Sequence, residues 1–131
     1  MLFRSEGLAE ADFVSIHTPL TDETRHLINA KRLALMKPSA VLVNTARGPV
    51  VDEAALAEAL RSGTIFAAGL DVYENEPQIH PDLVGLDNAF LFPHWGSTTD
   101  EDREWMTRIA VDNVIACLRG ETPPHVFGEG T

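Results

Sequence analysis

Short apolar runs, each closed by a polar turn, alternate along this chain with stretches whose apolar positions fall three or four apart. The first pattern predicts strands and the second helices. Segment 11–17, Ala-Asp-Phe-Val-Ser-Ile-His, predicts a strand that must stop by Pro19, since proline cannot continue a central ladder. Thr21-Asp22-Glu23-Thr24 predicts a helix start, a hydroxyl cap with acids in the first turn. Asn29 caps a second short helix through Met36, which Pro38 stops. Val41-Leu42-Val43-Asn44 predicts a buried strand that breaks into a polar turn carrying Arg47, followed at once by Gly48 and Pro49. Asp52 caps a helix to Arg61 with Ala55, Leu56, Ala59 and Leu60 on one face, and Gly63 supplies its C-terminal turn. Segment 65–72 is apolar almost throughout, as in a parallel strand covered on both faces. A loop over 73–88, rich in Pro, Asn and Asp, leads to a last strand at 89–92. Thr98-x-x-Glu101 is a capping box opening a long helix to about Leu118, with Met106, Ala110, Val114 and Cys117 along one face, ended by Gly120. Cys117 is therefore assigned to packing.

Strand–helix alternation implies an α/β fold with a parallel sheet and right-handed crossovers. Three successive strands then deliver Arg47, the acidic turn Glu74-Asn75-Glu76, and His94, each just past a carboxyl end. In a parallel sheet those ends share one edge, so the three groups can face one cleft. Arginine offers a rigid fork of donors to a planar carboxylate, and imidazole titrates near neutrality. Arg47 taken singly fits a surface cation at a strand end equally well.

Three motifs here, Asn44-Thr45-Ala46-Arg47-Gly48, Gly69-Leu70-Asp71-Val72 with Glu74-x-Glu76-Pro77, and Pro93-His94-x-Gly96-Ser97, occur in a familiar order and spacing. They resemble those of the D-isomer-specific 2-hydroxyacid dehydrogenase family, which includes glyoxylate and hydroxypyruvate reductases, over about 9–124. The resemblance implies a partial Rossmann-like sheet with flanking helices, the second half of an NAD(P)-binding domain. It also implies hydride transfer between NAD(P)H and a small 2-oxo acid, giving the D-2-hydroxy acid. His94 would be the acid/base, Glu76 the carboxylate that holds its ring, and Arg47 the grip on the substrate carboxylate. Glu76 rather than Glu74 fits the motif, which leaves Glu74 as a solvated loop acid. By the same resemblance Thr45, Ala46, Arg47, Asp71, His94, Trp95 and Gly96 line the cofactor, and His17 and Pro19 either flank it or form a purely structural turn. Trp95 departs from the usual small aliphatic residue, which suits a narrow pocket for glyoxylate or hydroxypyruvate.

Composition narrows the alternatives. At 131 residues and 44% hydrophobic the chain has the size and apolar content of one folded domain. Its net charge of −10 disfavours nucleic acid and anionic membranes as partners. One cysteine excludes an internal disulfide framework and suits a reducing cytoplasm. No apolar run approaches the roughly 20 residues of a membrane span. His26, His80 and His125 fall in no constellation and are expected at the surface, and no residue pair has metal-ligand spacing.

No G-x-G-x-x-G turn occurs here, nor the acid that would follow it on a ribose. The expected organisation is a non-family or truncated leader at 1–8, the C-terminal part of the NAD(P)-binding domain at 9–120, and a tail at 121–131. The isolated chain is expected to be inactive, with its first strand an exposed, self-associating edge. A complete protein would be a homodimer by resemblance. The competing reading is a non-catalytic NAD-binding regulatory module of corepressor type. Glutamine stands at the Glu76 position in formate dehydrogenases, so Glu76 argues against that relative.

Overall fold

The chain's short apolar runs pair into one four-stranded sheet of β1 (Phe13–Ile16), β2 (Val41–Asn44), β3 (Ala67–Leu70) and β4 (Ala89–Leu91), in the order β1-β2-β3-β4. This computed structural model describes residues 5–126. All three pairings are parallel, so the α/β class expected from the alternating patterns is the fold observed. Strand side chains alternate faces, and the register aligns Val14, Leu42, Ala68 and Ala89 in one row. Ile16, Asn44, Leu70 and Leu91 form the next row on the same face. These rows belong to or border the apolar core, whereas Phe13, Ser15 and Phe90 on the opposite face are exposed.

Helix α1 (Ser5–Glu10) precedes β1 and puts Leu8 into the core, an element the hydrophobic pattern did not announce. The leader expected at 1–8 lies in part outside the described residues, as does the end of the tail. The helix expected after Thr21 is a single turn: Arg25 N–H reaches the Thr21 carbonyl, and then His26 turns left-handed at φ 50°. His26 N–H instead donates to the Pro49 carbonyl at 2.8 Å, so a crossing stretch of chain takes the bond that helix continuation needs. Helix α2 (Ala30–Leu33) is capped by Asn29, which accepts from Arg32 N–H, but ends earlier than Met36. Helix α3 (Glu53–Arg61) is capped by Asp52 and buries Leu56, Ala57, Ala59 and Leu60. Gly63 takes the left-handed conformation beyond its end, at φ 71°.

The described residues divide into two compact units, one running up to Trp95 and the other from Gly96. The second contains α4 (Asp100–Leu118), capped by Thr99, one residue beyond the expected Thr98. Met106, Val114 and Cys117 are exposed, which corrects the packing role assigned to Cys117. Among the described residues this unit has no second helix or strand against which that face could be buried. Its tail is tied back where Asn113 exchanges two hydrogen bonds with the His125 backbone, each 3.0 Å. His125 is thus tied into the helix by its main chain, a contact that its place in the sequence did not signal.

Leu42 is fully buried at the centre of the core face. Leu42→Ala is expected to lower the unfolding free energy of the chain by about 2–5 kcal/mol in urea titration. A change well under ~1 kcal/mol would show that this face is not the core.

Candidate active site

The turn after β2 is built by the polar side chain at its strand end. Asn44 closes β2 fully buried; its Oδ1 accepts from Ala46 N–H and its Nδ2 donates to the Arg47 carbonyl, both at 3.0 Å. An asparagine bonding its own following backbone is a turn former, and this turn presents Arg47 at the sheet edge. Arg47 is exposed, donates to the Ala46 carbonyl at 2.6 Å, and among the described residues forms no ion pair.

Gly48 comes next, where the chain meets the β3 exit. A Cβ on Gly48 would lie 1.9 Å from the Tyr73 carbonyl carbon and oxygen, so only glycine permits the two loops to touch. The contact is reinforced by a reciprocal pair. Glu53 N–H donates to Glu74 Oε1 at 2.9 Å, and Glu74 N–H donates to Glu53 Oε1 at 2.8 Å. Glu74 Oε2 also meets His26 Nε2 at 3.0 Å. Glu74 is therefore a latch between loops and not a solvated acid, and His26 belongs to its cluster. The N-terminus of α3 attracts a carboxylate through its unsatisfied N–H groups, which explains the capture of Glu74. Burial pushes the Glu53 carboxyl above its ordinary range, against the lowering effect of the Glu74 N–H. His80, also expected in isolation, accepts from Asp82 N–H at 3.3 Å and caps a short turn.

The second carboxylate of this loop faces the other way. Glu76 Oε1 accepts from Tyr73 N–H at 3.0 Å, and Oε2 lies 2.8 Å from His94 Nδ1. The hydrogen bond with His94 holds the Glu76 carboxyl below the usual carboxylate range, aided by Tyr73 N–H and by the charge of Arg47; partial burial opposes it. Arg47 is thus near enough to act electrostatically on Glu76, while its own hydrogen bond goes to the Ala46 carbonyl. His94 itself is left-handed at φ 55°, a conformation uncommon outside glycine and one that histidine tolerates better than most. A pocket of about 150 Å³ lined by Tyr73, Glu76, Pro77, Ile79, Pro93 and His94 opens beside the pair.

At the same edge, the exits of β1 and β2 enclose an open groove of about 520 Å³ lined by His17, Thr18, Pro19, Leu20, Ala46 and Arg47. It gathers four of the residues assigned to the cofactor. Thr45 is exposed in the turn between, and Gly96 lies in the second unit. Asp71 is buried and accepts from Trp95 N–H at 2.7 Å, so it shapes the turn after His94. Thr18, given no role by the sequence beyond its turn, has a buried Oγ1 without a partner among the described residues. A buried hydroxyl without a bond is costly, and a polar ligand group in the groove would satisfy it. Among the described residues no three His, Cys, Asp or Glu gather as metal ligands.

A parallel sheet whose polar exit loops gather at its carboxyl edge is the layout of a nucleotide-binding half-domain. Residues 4–96 match the D-isomer specific 2-hydroxyacid dehydrogenase family over its NAD binding domain, and the chain belongs to that family. It is 52% identical over 122 residues to the glyoxylate reductase of Thermococcus litoralis, covering 93% of this chain and 37% of that protein. A solved glyoxylate reductase from Paecilomyes thermophila gives a TM-score of 0.86 at 44% identity, covering 90% of this chain and 36% of its own. The NADPH-dependent glyoxylate/hydroxypyruvate reductase from Sinorhizobium meliloti, solved with NADP and malonate, gives 0.84 at 39%, covering 87% and 36%. The chain therefore spans a little over a third of the length of the curated relatives it matches, 37% in the Thermococcus case.

The loop contact can be tested without any ligand. Gly48→Ala forces a Cβ into the Tyr73 backbone, and overpacking of this kind costs about 1–3 kcal/mol or more. We expect a lowered melting temperature, with the Tyr73 and Glu74 amide resonances displaced. An unchanged melt would mean that the two loops do not touch.

Proposed function

We propose that this chain supplies the acid–base and carboxylate-binding half of an NAD(P)H-dependent reductase of small 2-oxo acids, of glyoxylate or hydroxypyruvate type. The observation that carries this reading is the His94 Nδ1–Glu76 Oε2 contact of 2.8 Å on the sheet edge that also presents Arg47, a cation without an ion pair among the described residues. Glu76 is favoured as a carboxylate, so it accepts from Nδ1 and stabilises the imidazolium. That leaves Nε2 as the ring nitrogen able to give a proton to the carbonyl oxygen as it becomes an alkoxide. Arg47 binds the substrate carboxylate through its planar fork and stabilises charge developing beside it.

The groove fits the nicotinamide end of a dinucleotide, whose bound ring supplies the hydride. Thr18 Oγ1 provides a hydroxyl in need of a partner, and Ala46, Arg47, His17 and Pro19 form the walls. Asp71 is joined by a hydrogen bond to Trp95, next in the chain to His94.

The test is a chimera in which this chain replaces the matching segment of the Thermococcus litoralis glyoxylate reductase. It should reduce glyoxylate, and His94→Ala should lower kcat/KM by about 10²–10⁴-fold. Tight NADPH binding without turnover would favour the regulatory-module reading. The Glu76 carboxyl is held low, so the acidic limb of the kcat profile at saturating glyoxylate should lie below the ordinary carboxylate range. Glu76→Gln removes the group that protonates there, and the limb should disappear. An acidic limb unmoved by Glu76→Gln would show that the pairing plays no part in turnover.

A further inference from the structure

Tyr73 is buried at 4% exposure and bonds Glu76 through its N–H and the chain two residues before His94 through its hydroxyl. Its N–H fixes Glu76 Oε1, leaving Oε2 for the imidazole. Its hydroxyl donates to the Phe92 carbonyl at 2.8 Å, two residues before His94, and lies 3.3 Å from the Leu70 carbonyl. Phe92 N–H donates to the same Leu70 carbonyl, at 2.9 Å. Beyond His94, Trp95 N–H is held by Asp71. His94 therefore sits left-handed between two anchored residues, and both anchors come from the β3 exit that also carries Glu76.

We infer that Tyr73 is a positioning residue: its hydroxyl and its N–H together set the separation of the imidazole and the carboxylate. The inference rests on the proposed acid–base role of that pair and adds a residue to it. A tyrosine in this place could instead serve only to satisfy a buried strand-end carbonyl. Removing the hydroxyl alone separates the two roles. If Tyr73 positions the pair, Tyr73→Phe frees the Phe92 carbonyl, lets the left-handed turn relax and loosens the Nδ1–Oε2 contact. If it only satisfies the carbonyl, stability falls but the pair stays closed.

The experiment tracks the Glu76 carboxyl carbon by NMR through an acid titration of the 131-residue chain. His94→Ala serves as the yardstick, since it removes the leading cause of the low Glu76 value. Tyr73→Phe should move the Glu76 midpoint upward, part of the way to the His94→Ala value, with amide shifts away from 70–96 unchanged. A midpoint that stays at the wild-type value in Tyr73→Phe, while His94→Ala moves it, overturns the positioning role and leaves the pair intact. A midpoint that His94→Ala does not move overturns the pair and this inference with it. Should Tyr73→Phe prevent folding of the chain, the same substitution in the chimera provides a second reading. There kcat should fall on the order of tenfold with KM for glyoxylate unchanged, since a misplacement of about 1 Å can cost 10²-fold. A rise in KM at constant kcat overturns the inference.

Discussion

Parallel pairing sends every strand's exit loop to the same edge of a sheet, and in this chain that constraint brings residues 47, 76 and 94 to one edge. Antiparallel pairing of any one strand would carry its polar turn to the opposite edge. The register then sets how far apart the exits lie. Asn44 pairs with Leu70 and Leu70 with Leu91, so the three strands end nearly level and their loops leave side by side. What remains is to keep neighbouring loops from drifting, and here the absence of a side chain on Gly48 is as important as any bond.

The polar groups at this edge are spent largely on one another. Buried polar atoms must be bonded or they cost stability, and Asn44, Asp71, Glu53 and Glu74 each answer a backbone group at this edge. The same loops thereby become stiff enough to hold His94 at a positive φ. Arg47 is the exception. Its guanidinium bonds to its neighbour's carbonyl, which leaves further donors of the fork for a ligand anion. In a chain of net charge −10, Arg47 thus stands at this edge as a cation without a paired carboxylate among the described residues.

The sequence made the strands, the Asp52-capped helix and the shared edge of Arg47, Glu76 and His94 legible because each rests on local pattern: apolar runs, an Asp52 cap, and single residues just past strand ends. It failed where a distant partner decides. Thr21–Thr24 has the composition of a helix start, yet His26 is drawn to Pro49, so the turn does not propagate. Glu74 and Glu76 are two residues apart in one acidic turn, and nothing local says that one accepts from the Glu53 N–H of α3 while the other holds His94. Thr18 gave no signal, since an unsatisfied hydroxyl is visible only once the groove around it exists. Cys117 sits at helical spacing on an apolar stripe, but a stripe is buried only if something packs on it. Asn44, by contrast, could have been assigned its turn-forming role, because asparagine at a strand end commonly bonds the backbone two residues on.

Whether guanidinium, imidazole and carboxylate act on one bound molecule is decided most directly by a crystal structure of the chimera with NADH or NADPH and oxalate, a compact mimic of a 2-oxo acid. We expect one oxalate carboxylate on the Arg47 guanidinium and an oxygen of the same molecule within hydrogen-bond distance of His94 Nε2, with Glu76 still on Nδ1. Oxalate bound away from both residues, or Glu76 paired with Arg47 in place of His94, would contradict the account.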